Sequence, residues 1–291
     1  MRKRYDYLAI PIIILLSITS IAGILSLNFN YAYDFVNQYG HTVKIYGYGI
    51  YAFDSYFQAP TSIGTDLCIL LIVIPMFIVT YLNYMKKSDA IAQLKLISAY
   101  AVVLYYAASI VFGLTYNQLF LVYVALFSCS LFGMFWHIRN ISLQQAICGS
   151  SGVSVFLSLS GVALIVAWLP DVIPAMVKGT TLALIGVYTT NITYVLDMGI
   201  ISVLCFVTLY MIGKKKPLGT LILACIFKLC IVVGIMMLPQ TFCQIASGIE
   251  IPLPALITKS FSFVLLGGFA FYFNRKMYRE LESERKQISK Y

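Results

Sequence analysis

Four ionisable side chains fall within long apolar runs of this 291-residue chain: Asp66, Asp197, Lys228 and Lys259. A charge in lipid is costly, so such groups are the first place to look for chemistry. They are two acids and two bases, with zero net charge. If their helices are neighbours, Lys228 can extend toward Asp197 or Asp66. One acid could then alternate between a lysine and a proton, a cation or a substrate amine in a polar, outward-facing cavity. The same four groups serve equally well as a neutral set of ion pairs, or as snorkelling side chains, that only fixes helix packing. Polar residues extend the region: Thr189, Thr190, Asn191 and Thr193 precede Asp197, Tyr116 and Asn117 fill a tight turn, and Gln240 and Gln244 follow an apolar run. They are candidates to line an external vestibule, although such residues are also ordinary at a membrane boundary.

Other chemistries lack the residues they need. The two histidines, His41 and His137, are expected on opposite sides of the membrane, so they cannot share a metal or supply two axial haem ligands. No Walker loop, Gly-x-Ser-x-Gly elbow or Rossmann fingerprint occurs, which leaves ATP-driven transport and familiar acyl transfer without support. A retinal-type Schiff base on Lys259 is chemically conceivable, but its outer-half position and the helix count argue against it. The seven cysteines read as small buried apolar residues, with Cys243 the only one expected in an outer loop. No cofactor and no metal is expected.

The elements that must position these groups follow from composition. The chain is 60% apolar and 11% charged, with a mean hydropathy of +0.88, against about 25% charged residues in ordinary soluble domains. That is too little polar surface for a soluble globule. A helix crossing about 30 Å of hydrocarbon needs roughly 20 apolar residues. Eight runs qualify, near 8–26, 66–85, 91–113, 117–136, 150–169, 196–213, 217–238 and 255–273. The expected fold is an all-α polytopic bundle over residues 1–273 with a charged cytoplasmic tail at 274–291. The first run, Leu8 to Leu25, exceeds a signal-peptide core and reads as an uncleaved anchor.

Sixteen of the twenty Lys and Arg lie in five clusters beside apolar runs: residues 2–4, 86–95, Arg139, 214–216 and 275–290. All fall on the side shared by the termini, which places both termini in the cytoplasm of a plasma membrane. The net charge of +9 therefore marks membrane topology and gives no indication of a nucleic-acid partner. The lipid bilayer is the expected partner, with a small solute or cation as a further candidate.

The outer loop at 26–65 carries eleven aromatics, with Phe29, Tyr31, Tyr33 and Phe35 in alternation before a polar turn near Gln38 to Gly40. A hairpin there would gather its rings on one face, as an interfacial belt or as a binding surface or lid. The segment from Trp168 to Leu196 is read as interfacial or partly re-entrant, since its apolar stretch at 181–188 is too short to cross. In the tail, Glu282 is spaced to meet Arg285 and Lys286. There is also an internal echo: Asp66 and Asp197 each open an apolar helix that ends in lysines, offset by 128 to 131 residues. That offset is compatible with two parallel four-helix halves.

Three stretches, Gly-Thr-Asp-Leu-Cys-Ile-Leu-Leu-Ile-Val-Ile-Pro at 64–75, Tyr-Asn-Gln-Leu-Phe-Leu-Val-Tyr-Val-Ala-Leu-Phe at 116–127 and Thr-Tyr-Val-Leu-Asp-Met-Gly at 193–199, resemble a family of prokaryotic integral membrane proteins with no assigned activity. The resemblance covers roughly residues 60–240. It implies a multi-helix membrane fold, draws attention to Asp66, Asn117 and Asp197, and supplies no substrate. Three functions stay open: a carrier or binding protein for a small solute or cation that is not driven by ATP, a non-catalytic membrane subunit, scaffold or sensor, and a membrane enzyme acting on a lipid or isoprenoid.

Overall fold

The computed structural model describes residues 6–143, 150–249 and 253–288, with the side chains of 253–259 and 286–288 outside the description. Among the described residues its regular elements are helices and one hairpin. In chain order the elements are α1 (Ala9–Leu25), β1 (Tyr33–Val36), β2 (Thr42–Ile45), α2 (Gln58–Lys87), α3 (Ala90–Gly113), α4 (Phe120–Asn140), α5 (Ser151–Val166), α6 (Leu169–Lys178), α7 (Ile192–Gly213), α8 (Pro217–Ala246) and α9 (Leu253–Ile288). Among the described residues, six helical stretches are long and apolar enough to cross a membrane: α2, α3, α4, α5 continued by α6, α7 and α8. The chain is a multi-pass membrane protein. Its apolar surface agrees, since Phe132, Phe135, Leu159 and Phe206 on the outer helices are exposed. Helices are the expected spanning element, because each satisfies its backbone hydrogen bonds internally.

The bundle has two unlike ends. One carries the hairpin and is called the hairpin end; the other, the terminal end, holds the start of α1, the end of α9 and the connections α2–α3 and α7–α8. Helices α3 and α8 run through the middle and share two apolar cores. In one core, Leu16, Ile69, Phe77, Val103 and Val232 join α1, α2, α3 and α8. In the other, Leu94, Phe156, Cys205, Phe227 and Ala270 join α3, α5, α7, α8 and α9. Helices α8 and α9 cross at Gly234 and Gly267, where a Cβ on Gly234 would lie 2.9 Å from the Phe263 carbonyl oxygen. Only a bare α-carbon admits that approach.

The helices are longer than hydropathy alone suggests. α2 opens at Gln58 rather than Asp66, and α8 runs on through Gln240, Cys243 and Gln244 to Ala246. Cys243 is therefore buried in a helix, not in a loop. The added turns carry Thr61, Ser62, Thr65, Gln240 and Gln244, whose polarity lowers the hydropathy although their backbone is helical. Both α2 and α7 contain one wide, π-helical turn, at Ile69–Val73 and Asp197–Ile201, where Ile74 N–H donates to Ile69 and Ser202 N–H to Asp197. The two turns fall at corresponding places in the internal echo.

The hairpin pairs Tyr33 with Ile45 and Phe35 with Val43. The expected four-ring alternation holds only for Tyr33 and Phe35. Phe29 and Tyr31 lie in a 3₁₀ turn, and Tyr31 instead stacks on Tyr48 with ring centroids 5.0 Å apart. Asn37 builds the tight turn, its Oδ1 accepting the N–H of Tyr39 at 3.0 Å and of His41 at 2.9 Å. Residues 180–190 form neither a membrane-dipping helix nor a strand. They make a strap of turns across the hairpin end, with Asn37 Nδ2 donating to the Gly186 carbonyl at 2.7 Å and Tyr39 Oη to that of Tyr188 at 3.1 Å.

The terminal end is tied by longer-range bonds. Asp6 Oδ1 accepts the N–H groups of Leu8 and Ala9 and so caps α1. Its Oδ2 accepts Tyr100 Oη–H at 2.8 Å and lies 3.0 Å from His137 Nε2, all of it buried. The tail continues α9 as a helix, and its described charges pair across the bundle, Glu282 with Lys95 at 3.4 Å and Arg285 with Asp89 at 2.6 Å, while the Lys286 side chain lies outside the described residues.

Candidate functional site

A cavity of about 270 Å³ lies at the hairpin end, between α2, α3, α7 and α8 and beneath the strap. Asp66 sits on its α2 wall, about 12 Å along that helix from Gln58 at 1.5 Å per residue, and is fully buried. Its carboxylate accepts the hydroxyl of Tyr51, from the segment after the hairpin, on Oδ2 and that of Tyr106, from α3, on Oδ1 at 2.7 Å. Gly23 of α1 makes room for it, because a Cβ there would come within 1.7 Å of Asp66 Oδ2.

Asp197 lies on the α7 wall. Tyr105 Oη–H donates to its Oδ1 at 2.8 Å and the Trp168 indole N–H to its Oδ2 at 3.2 Å. The consecutive tyrosines Tyr105 and Tyr106 thus reach acids on two different helices. Trp168 stacks on Tyr194 at 4.4 Å, and Tyr194 Oη–H donates to Asp171 at 2.6 Å, so an aromatic and acidic wall continues toward the mouth. On the side formed by α2 and α8, Gln240 and Gln244 each donate a 2.7 Å hydrogen bond to Thr65 and Thr61. Those two glutamines span a close crossing, since a Cβ on Gly64 would lie 2.5 Å from the Gln240 α-carbon.

The structure brings Asp66, Asp197 and Thr193 to one cavity. The other expected residues do different things. Lys228 does not line the cavity and pairs with neither acid among the described residues. The reason is helical register: Leu229, Val233, Met236, Gln240 and Gln244 turn one stripe of α8 to the cavity, and at about 100° per residue Lys228 falls on the far side of the helix from that stripe. Asn117 shapes the α3–α4 turn, its Oδ1 accepting the Leu119 N–H at 2.9 Å and its Nδ2 donating to Tyr123 at 3.3 Å. Lys259 lies on α9, with its side chain outside the described residues.

Sequence reasoning missed Tyr51, Tyr105, Tyr106, Trp168 and Tyr188, all on the cavity wall. The paired hydroxyls at 105 and 106 were the available signal, being the polar tips midway along an apolar run. Asp54 was also missed as a structural element. It is buried at the cavity's rim, where Thr115 N–H at 2.9 Å and Tyr188 Oη–H at 2.8 Å both donate to its Oδ1. Burial pushes the Asp54 carboxyl up to about 6, against those two donors and the Thr115 hydroxyl, which favour the charged form.

Asp66 has hydroxyl partners but no ion-pair partner among the described residues. A carboxylate alone in an apolar surround is either neutral or accompanied by a cation. The cavity offers room for that cation, with acceptors on several sides and aromatic surface between them. Among the described residues there is no group of three or more His, Cys, Asp or Glu able to hold a metal ion. No family model, curated protein or solved structure matches the chain.

Proposed function

We propose that this chain is an eight-pass protein of a prokaryotic plasma membrane that binds and carries a small cation, inorganic or an organic ammonium, without ATP. The 17-residue α1 and the long α9 supply the first and last crossings beside the six apolar stretches. Both termini are cytoplasmic in this reading. The basic clusters gather at the terminal end, whereas the outer loops at the hairpin end carry Lys44 and Lys178, as the positive-inside rule requires. The cavity then opens outward.

The observation that carries the reading is Asp66, an acid sealed in the wall of a membrane-embedded cavity and held there by hydroxyls rather than by a lysine. A structural acid gains nothing from adjoining open space. A binding acid requires it, because the arriving cation supplies the missing counter-charge. The test is uptake of amine or alkali-cation tracers into proteoliposomes by purified protein. Uptake abolished by Asp66→Asn in a variant that still folds supports the carrier. Absence of uptake, together with a second chain that stays bound through purification, would replace it with a membrane-subunit role.

A further inference from the structure

We propose that the cavity takes an amphipathic organic ammonium, a protonated primary amine on a short apolar chain, with its head on Asp66 and its chain on an apolar floor deeper in the bundle. The proposal deepens the carrier reading and takes from it that the cavity is the working site.

The cavity changes character with depth. Gln244 donates to Thr61 and Gln240 to Thr65, so α2 and α8 run antiparallel there, and a step inward along α2 matches a step back along α8. A Cβ on Gly64 would meet Gln240 and the Pro239 carbonyl, which fixes the same register and sets Asp66 at about the level of Pro239. At 1.5 Å per residue, Met236, Val233 and Leu229 then lie roughly 4.5, 9 and 15 Å deeper. Beyond the acid the lining is made by Ile201, Leu229, Val233, Met236 and Leu266, from α7, α8 and α9. Toward the hairpin end it includes Thr61, Asp171, Asn191 and Gln244. Asp66 thus stands at a boundary, with polar groups on the mouth side and aliphatic ones on the inner side.

A carboxylate offers about four lone-pair positions, and the hydroxyls of Tyr51 and Tyr106 take one on each oxygen of Asp66. The positions left over suit an ammonium, whose N–H bonds to a carboxylate are charge-assisted. A hard metal ion is the poorer guest. It takes about six or more oxygen ligands, and it would leave the floor as water held against aliphatic side chains. An alkyl chain fills that floor instead and gains up to about fourfold in affinity per buried methylene. The volume of about 270 Å³ equals about nine waters at roughly 30 Å³ each, enough for an amine of several carbons. Asp66, Asp171 and Asp197 line the cavity and no Lys, Arg or His does among the described residues. An amine that also carries a carboxylate therefore meets no counter-charge there, and with its head on Asp66 it would drive that carboxylate into the floor.

The experiment uses full-length protein in lipid nanodiscs. Trp136 and Trp168 are the only tryptophans, so Trp136→Phe leaves the Trp168 indole on the cavity wall as a local reporter. Its emission is titrated with methylammonium, propylammonium, hexylammonium, potassium, 1-hexanol and 6-aminohexanoate, and Asp66→Asn run in parallel subtracts any signal from amine dissolved in lipid. The expected result is saturable binding that tightens about two- to fourfold per methylene from methyl to hexyl, with no response to 1-hexanol. 6-Aminohexanoate, carrying a charge where the floor is apolar, should bind at least about 30-fold more weakly than hexylammonium. Val233→Phe, which fills the floor, should weaken hexylammonium about tenfold and leave methylammonium unchanged. No saturable response to hexylammonium overturns the proposal, as do potassium or methylammonium binding as tightly as hexylammonium, a tolerated tail carboxylate, or equal effects of Val233→Phe on short and long amines. If Trp136→Phe or Asp66→Asn does not fold, calorimetry of the native chain and of Val233→Phe reads the same series. Chain-length-dependent binding without tracer uptake keeps the site and removes the carrier; uptake that needs Asp66 but is not inhibited by hexylammonium does the reverse.

Discussion

Asp6 and Asp66 are both sealed from solvent, and both accept a hydroxyl from a tyrosine of α3, Tyr100 in one case and Tyr106 in the other. Their surroundings differ. Asp6 takes two backbone N–H groups and lies against His137, whose ring is packed by Tyr84, Tyr100 and Trp136. None of these residues lines the cavity at the hairpin end. Asp66 has hydroxyls alone and forms part of a cavity wall. The same acid–tyrosine bond is a fastener where the neighbourhood is solid and a candidate site where one side is left empty. What surrounds the pair distinguishes the two uses better than the pair itself does.

Substitutions can break or sharpen that contrast. Asp6→Ala removes a helix cap and leaves a buried tyrosine and histidine without their acceptor, and should lower unfolding free energy by about 3–5 kcal/mol while leaving cation affinity in the surviving folded protein unchanged. A denaturant series in detergent checks the first part, and a loss under about 1 kcal/mol would deny Asp6 its role as a fastener. Gly23→Ala places a methyl 1.7 Å from Asp66 Oδ2, so α1 and α2 must separate. The expected cost is about 1–3 kcal/mol, with tracer uptake lost. Asp66→Asn keeps the shape and one acceptor, its amide N–H₂ donating to the hydroxyl oxygen of the other tyrosine, and should change stability by no more than about 1 kcal/mol yet abolish uptake; equal losses at Asp6 and Asp66 would erase the distinction drawn above. Arg285→Ala cuts an ion pair in which the arginine side chain is 57% exposed, and should cost about 0.5 kcal/mol or less, shrinking further in salt.

Much of the bundle was legible because lipid demands long apolar runs, and the interiors of α3, α4 and α8 satisfy that demand plainly. The ends were not legible where a helix borders the cavity. Thr61, Ser62 and Thr65 on α2, and Gln240 and Gln244 on α8, face polar space, so hydropathy falls while the backbone stays helical. Asp66 and Asp197 stood out by cost alone. Lys228 misled because opposite sign and similar depth suggested a partner, whereas its register places it on the face of α8 away from the stripe that lines the cavity. Tyr105 and Tyr106 could not be weighted properly from sequence, since a tyrosine's value depends on which acid its tip meets, and both acids lie on other helices.

The wide turns in α2 and α7 set the bearing of the two acids. Each accommodates one residue more than a regular turn would, and one residue corresponds to about 100° of rotation. Upstream and downstream stripes of α2 are thereby clocked independently, one facing Tyr51 and Tyr106, the other facing α1 and α3 in the apolar core. Deleting a single residue between Ile69 and Val73 would straighten the helix and swing one of these faces off its partner. A register error that an ordinary helix absorbs at its ends would here misdirect the carboxylate itself.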